Sequence, residues 1–152
     1  MNIENFTEVM DFVYLLGSKV GKVTSKERLA TCHEDLQQVI NRAIRISSVD
    51  FGVAEGHRSI ERQQELFNAG KSKINGIDTK GKHNYVPSQA VDIYGWVNGH
   101  INYDTNVLCY LAGVILTCGE LIGVKLRWGG NWDMDGVIIT DQSFDDLVHF
   151  EI

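Results

Sequence analysis

Two short stretches hold the residue types that zinc chemistry needs. In the first, His83 and Asp92 are separated by eight residues; in the second, Asp146 lies three residues before His149 and five before Glu151. A catalytic zinc takes three protein ligands from histidine and carboxylate and leaves a fourth position for water. A further acid must stand beside the metal without binding it, because it has to accept the water's proton. His83, Asp92 and His149 supply such a ligand set, and Asp146 supplies the free acid. Spacing alone leaves a second reading open, in which these are ordinary loop histidines and surface acids.

The elements that must position these groups can be read from periodicity. Alternation along a strand at 147–152 puts Leu147, His149 and Glu151 on one face and Val148, Phe150 and Ile152 on the other. Asp146 would point away from His149 in a straight strand, so it must lie on a bend that enters it. Glu151 shares a face with His149 and is the rival for the base; otherwise it is a group that orients a metal-bound histidine. Upstream, Leu36, Val39, Ile40, Ala43 and Ile44 recur at helical spacing over about 32–46. Thr24 with Glu27 and Thr31 with Glu34 are candidate capping boxes. Shorter helices are expected over Phe6–Leu16 and from a Ser59 cap to Asn68, with a longer one over 104–121. Strands are expected at 51–54, 89–94 and 124–128, and a polar loop at about 70–88. Helices lead and strands cluster late, which favours α+β over a regular βαβ array.

Composition bounds the partners. A chain of 152 residues suits one domain, 1–152. The net charge of −6 argues against nucleic acid as a partner. The basic stretch Lys71–Lys82 is diluted by Asn75, Gly76 and Asp78 and reads as a solvated loop, with contact to an anionic ligand as the lesser alternative. Cys32, Cys109 and Cys118 form no disulfide framework and fit a reducing compartment, with the last two expected in the core. Glu4, Glu8 and Asp11 interrupt any signal-peptide pattern, so no signal peptide is expected. The apolar run Val107–Cys118 is short for a bilayer span, so no membrane insertion is expected. Asp133, Asp135, Gly136 and Asp141 hint at a calcium loop without the spacing of a full EF-hand.

Three segments in order carry a resemblance. They are Glu55-Gly56-His57-Arg58-Ser59 with Gln63; His83 to Asp92, with Ala90 two before the aspartate; and Arg127-Trp128-Gly129-Gly130-Asn131-Trp132 leading to Phe144 through Glu151. Over about residues 50–152 the sequence resembles the D-alanyl-D-alanine carboxypeptidase and L-alanyl-D-glutamate endopeptidase family of zinc metallopeptidases, which includes phage endolysins. It departs from the family in a longer His83–Asp92 interval that contains Pro87, and in Gly81 and Ser88 at motif positions.

The resemblance implies a small hedgehog/DD-peptidase-like α+β domain. An antiparallel sheet carries Zn2+ at one end, held by His83, Asp92 and His149, with helices on the other side. It implies Asp146 as general base and Arg58 as the group that holds a substrate carboxylate or the oxyanion. Glu151, Gln63 and Trp128 are expected to support the site or meet substrate, although a core Trp128 is an equal reading. The implied reaction is hydrolysis of an amide in a peptidoglycan stem peptide by a monomer. A phage lysis enzyme of this kind waits in the host cytoplasm until it is released to the wall; a virion part is the other phage setting. Cell-wall remodelling by a D-Ala-D-Ala carboxypeptidase, a non-catalytic zinc module on the same scaffold and a His/Asn nuclease built on His83-Asn84 are the alternatives. An intact base favours the enzyme, and the acidic charge disfavours the nuclease.

Overall fold

The computed structural model describes residues 23–152, so the helix expected over Phe6–Leu16 lies outside the described residues. The first described helix, α1 (Ser25–Leu29), opens on the expected box: Thr24 accepts from the Glu27 amide and Glu27 reaches back to the Thr24 amide. The second box does not form. In α2 (Glu34–Ile46) the cap is His33, whose ring accepts from the Asp35 amide. Thr31 is engaged elsewhere, donating to the Arg28 carbonyl and accepting from the His57 amide. Leu36, Val39, Ile40 and Ala43 form the buried stripe of α2.

Strand β1 (Asp50–Glu55) leads through Gly56 to α3 (Ile60–Asn68), capped by Ser59 and followed by Gly70 at φ +70°. A loop and a 3-10 turn at Lys82–Asn84 precede β2 (Ala90–Val97). β2 runs past the expected end at Tyr94 because it folds back on β3 (His100–Asn102), which the sequence reading lacked. The turn is Asn98-Gly99, both at positive φ, which is the usual two-residue hairpin signal.

Helix α4 (Thr105–Ile122) is capped by Asp104 and stopped by Gly123 at φ +75°. It has 18 residues and is long and apolar enough by composition to cross a membrane, so shortness does not argue against a span. Its Leu108, Leu111, Ala112, Ile115 and Cys118 face is buried in the core. Strand β4 (Arg127–Gly129) starts later than expected, because the Val124 amide still bonds the Gly119 carbonyl at the helix end. Strand β5 is Asp146–Glu151.

The strands form one antiparallel sheet in the order β1-β2-β5-β4, with β3 on the flank of β2. Phe51, Val53, Val91, Ile93 and Phe150 turn to the core shared with α2 and α4. This is the expected α+β arrangement. Trp128 belongs to the core as well. It is 4% exposed, stacks on Phe150 and donates its Nε1–H to the Leu147 carbonyl. Of the two readings of Trp128, the core one holds, because alternation along β4 turns it away from the groove.

Candidate metal centre

Register brings the first two groups together. Asp92 of β2 is paired directly with His149 of β5, so carboxylate and imidazole share the face opposite the core. His83 comes from the 3-10 turn before β2. The long His83–Asp92 interval is accommodated outward. The Gln89 amide bonds the Lys82 carbonyl, Ser88 pairs with Cys32, and Val86 at the tip is 82% exposed. The extra residues therefore leave the two side chains free to converge.

His83 Nε2, His149 Nδ1 and Asp92 Oδ1 stand 3.0–3.2 Å from one another. The far nitrogens fix the tautomers. His83 Nδ1 lies 2.7 Å from the Gly56 carbonyl, which can only accept, so that nitrogen carries the proton. His149 Nε2 lies 3.0 Å from Glu151 Oε2, which assigns it the proton in the same way. In the neutral rings, three lone pairs then point at one place with no hydrogen among them. A cation must fill such a place, either a proton on one histidine or a metal ion. Tetrahedral zinc with bonds of about 2.0 Å sets its ligand atoms about 3.3 Å apart, so the triangle fits.

Gly56 is required where it is. A Cβ there would lie 2.3 Å from the Arg28 carbonyl oxygen and 2.4 Å from Thr31 Oγ1, and moving the strand end would move the carbonyl that orients His83.

Burial raises the proton affinity of Asp92, but the His149 and His83 rings against its carboxylate outweigh burial and hold this carboxyl well below the usual carboxylate range. Burial disfavours protonated His149, yet Asp92 and Glu151 raise it to about 9 in the metal-free protein. Burial also pushes Glu151 up, and His149 and Arg127 bring it below its ordinary value. Glu151 is thus engaged on both sides, by His149 and by Arg127 Nε at 2.8 Å.

Asp146 stands beside the triangle and outside it. Its strand is bulged: Trp128 pairs with Phe150, but the next residue, Gly129, pairs with Asp146. That irregularity is the bend the sequence required, and it turns Asp146 into the same groove as His149. Burial, then the Asp92 charge, raise the Asp146 carboxyl above its ordinary value.

Arg58 is stitched to the turn that bears His83. Its amide donates to the His83 carbonyl, and its own carbonyl accepts from Asn84 Nδ2 at 3.0 Å. Asn84 thus serves the backbone. The guanidinium pairs with Glu55 and, at 3.5 Å, with Asp92 Oδ2, while Nη1 donates to Gln63 at 3.1 Å. Its buried Nε has no partner. Gln63 is a connector, 2% exposed, and also donates to Ser72 Oγ and the Ile74 carbonyl.

These residues line a groove of about 690 Å3. The sequence reading missed Glu55, Arg127, Trp132 and Phe144, although all stand in the motif segments. Trp132 is the aromatic that meets the site. It lies 5.5 Å from the His149 ring and stacks on Phe144, whereas Trp128 is buried behind it. Lys71, Lys73 and Lys82 also line the groove, so the basic stretch is not simply a solvated loop. The Asp133, Asp135 and Asp141 carboxylates come within 4.8 Å of one another, all on exposed residues. Cys32, Cys109 and Cys118 are free; Cys109 is only partly buried.

An α+β sheet thus carries a two-histidine, one-carboxylate triangle that could hold a metal ion, with Asp146 and Arg58 in the same groove. The family model for phage L-alanyl-D-glutamate peptidase matches residues 16–152, and the chain belongs to that family. It is similar to the L-alanyl-D-glutamate peptidase of Escherichia phage T5, 30% identical over 119 residues, covering 78% of this chain and 84% of that protein. It is also similar to the crystal structure of the Serratia marcescens L-Ala D-Glu endopeptidase ChiX. That match has a TM-score of 0.69 and 30% identity, covering 84% of this chain and 85% of the other.

Proposed function

We propose that the protein is a zinc-dependent endopeptidase that cleaves the L-alanyl-D-glutamyl amide of peptidoglycan stem peptides. The observation that carries this reading is the convergence of three lone pairs from His83, Asp92 and His149 beside an acid that is not one of them. Zinc held there by His83, Asp92 and His149 would supply Lewis acidity and make a water nucleophilic near neutral pH.

The chain's own residues supply the rest. Asp146, raised in proton affinity, takes the proton of the attacking water and returns it to the leaving amine. Arg58 is held in place by Glu55, Asp92 and Gln63 and presents a fixed positive charge to the developing oxyanion or to a substrate carboxylate. The Gly56 carbonyl and Glu151 keep each imidazole turned toward the ligand position. Glu151 is occupied by this task, which favours Asp146 as the base.

The names of the two relatives favour the alanyl-glutamyl bond over a terminal D-Ala-D-Ala bond. The same proposal includes a monomeric lysis enzyme of a phage, stored in the host cytoplasm and acting after release to the wall. Mass spectrometry of digested wall tests the activity. Cleavage after L-Ala, with new D-Glu amino termini, is expected. Release of D-Ala alone would make it a carboxypeptidase. Binding without any cleavage would make it a non-catalytic module.

A further inference from the structure

Lys71 and Lys73 flank Ser72 on the loop that follows α3, and both line the groove. Gln63 anchors that loop, donating to Ser72 Oγ at 2.8 Å and to the Ile74 carbonyl at 2.7 Å. The same side chain accepts from Arg58 at 3.1 Å. One buried amide therefore ties the loop to the arginine of the site, and the two lysines keep a set relation to it. Lys73 Nζ lies 5.3 Å from the centre of the Phe144 ring, which lines the same groove. Among the described residues neither ammonium is in a salt bridge, whereas Arg58, Arg62 and Arg127 each are. In a chain of net charge −6, the wall at this end of the groove is cationic without internal neutralisation.

Resting on the peptidase reading, the chemistry of the substrate says what faces such a wall. In an L-alanyl-D-glutamyl peptide the alanine gives its carboxyl to the scissile amide. Every free carboxylate then lies on the leaving-group half. The glutamate's own carboxylate is next to the scissile nitrogen and falls close to Arg58. Lys73 is set further off, with the Phe144 and Trp132 rings between it and His149. The contacts run 5.5 Å from His149 to Trp132, 6.4 Å on to Phe144 and 5.3 Å on to Lys73, a path open to a carboxylate beyond the glutamate and too long for the glutamate's own.

We propose that Lys71 and Lys73 form a subsite for a carboxylate on the residue that follows the glutamate. The enzyme then distinguishes walls whose third stem residue keeps a free carboxylate from those in which it is amidated. Two matched peptides test this, identical except for carboxylate or carboxamide at that residue, each assayed for kcat/KM with the full-length protein. The parent protein is expected to favour the carboxylate by about tenfold, the size of two exposed ion pairs. The Lys71→Met/Lys73→Met variant keeps the apolar stems and is expected to bring the ratio to about one. Lys71→Arg/Lys73→Arg is expected to keep the preference. Because each ratio is taken within one protein, any loss of folded fraction cancels. A parent protein with no preference, or a Met variant with an unchanged ratio, overturns the subsite while leaving the peptidase reading intact. A parent protein that cleaves neither peptide overturns both.

Discussion

Gly129 and Asp146 meet across β4 and β5 with no room between them: a Cβ on Gly129 would lie 2.2 Å from the Asp146 carbonyl oxygen. The proposed base is therefore aimed by the absence of a side chain on its neighbour. Gly129→Ala should push the start of β5 away and cut turnover by about 10–100-fold with the bound metal retained, since a small misplacement of a catalytic group is that costly. Steady-state kinetics beside elemental analysis checks this. The double change Gly129→Ala/Asp146→Ala should be no slower than Asp146→Ala alone.

Base and ligand should separate cleanly. Asp146→Ala is expected to keep zinc and lose about 10²–10⁴-fold in turnover. His83→Ala and His149→Ala should lose the metal itself. Zinc content measured on active preparations decides the matter; active protein without zinc would remove the metal from the proposal.

Glu151 holds His149 and does not face the triangle. Glu151→Gln is expected to weaken metal affinity by about 10–100-fold and to leave kcat at saturating zinc within a few-fold of the parent. A competition titration with a chelator reads the first quantity. Abolished turnover with full zinc occupancy would instead make Glu151 the base.

In the metal-free protein His149 is raised to about 9, above its ordinary value of 6.5. Its contribution to stability is therefore fully present below about 6.5 and is lost as pH rises through about 9, amounting to roughly 3 kcal/mol at most. Denaturant midpoints of chelated protein should fall across that window. Zinc competes with the same proton, so its apparent affinity should rise over the same range.

Burial pushes the Cys32 thiol up to about 11, and Cys118 is also buried. Both should resist a thiol reagent at neutral pH until the protein unfolds, while Cys109, partly exposed, should react first. Three thiols should titrate in denaturant without reductant.

Side-chain period made α2 and β5 legible, and α4 was legible through its apolar run between the local signals Asp104 and Gly123. The triangle of His83, Asp92 and His149 was legible through the resemblance of its motif segments, because spacing alone left ordinary loop histidines open, and alternation then required a bend if Asp146 was to share the groove. Which residue meets which was not. Trp128 and Trp132 flank one Gly129-Gly130-Asn131 stretch, and it takes the pairing of β4 with β5 to turn Trp128 into the core, while Trp132, past the strand end, faces His149. The role of Arg127 depends on long-range pairing, since Arg127 and Glu151 are 24 residues apart and joined only when β4 lies beside β5. The His33 cap displaced the Thr31 box because Thr31 had a partner 26 residues away.

The strand order also has a consequence for biosynthesis. β5 follows every other strand in sequence yet lies between β2 and β4. A nascent chain that has already displayed His83 and Asp92 still lacks His149, and its sheet has an open gap where that strand belongs. On the proposed mechanism, hydrolytic competence therefore waits for the final strand to pair with β2 and β4. Until then the ribosome carries a polypeptide that cannot cut anything.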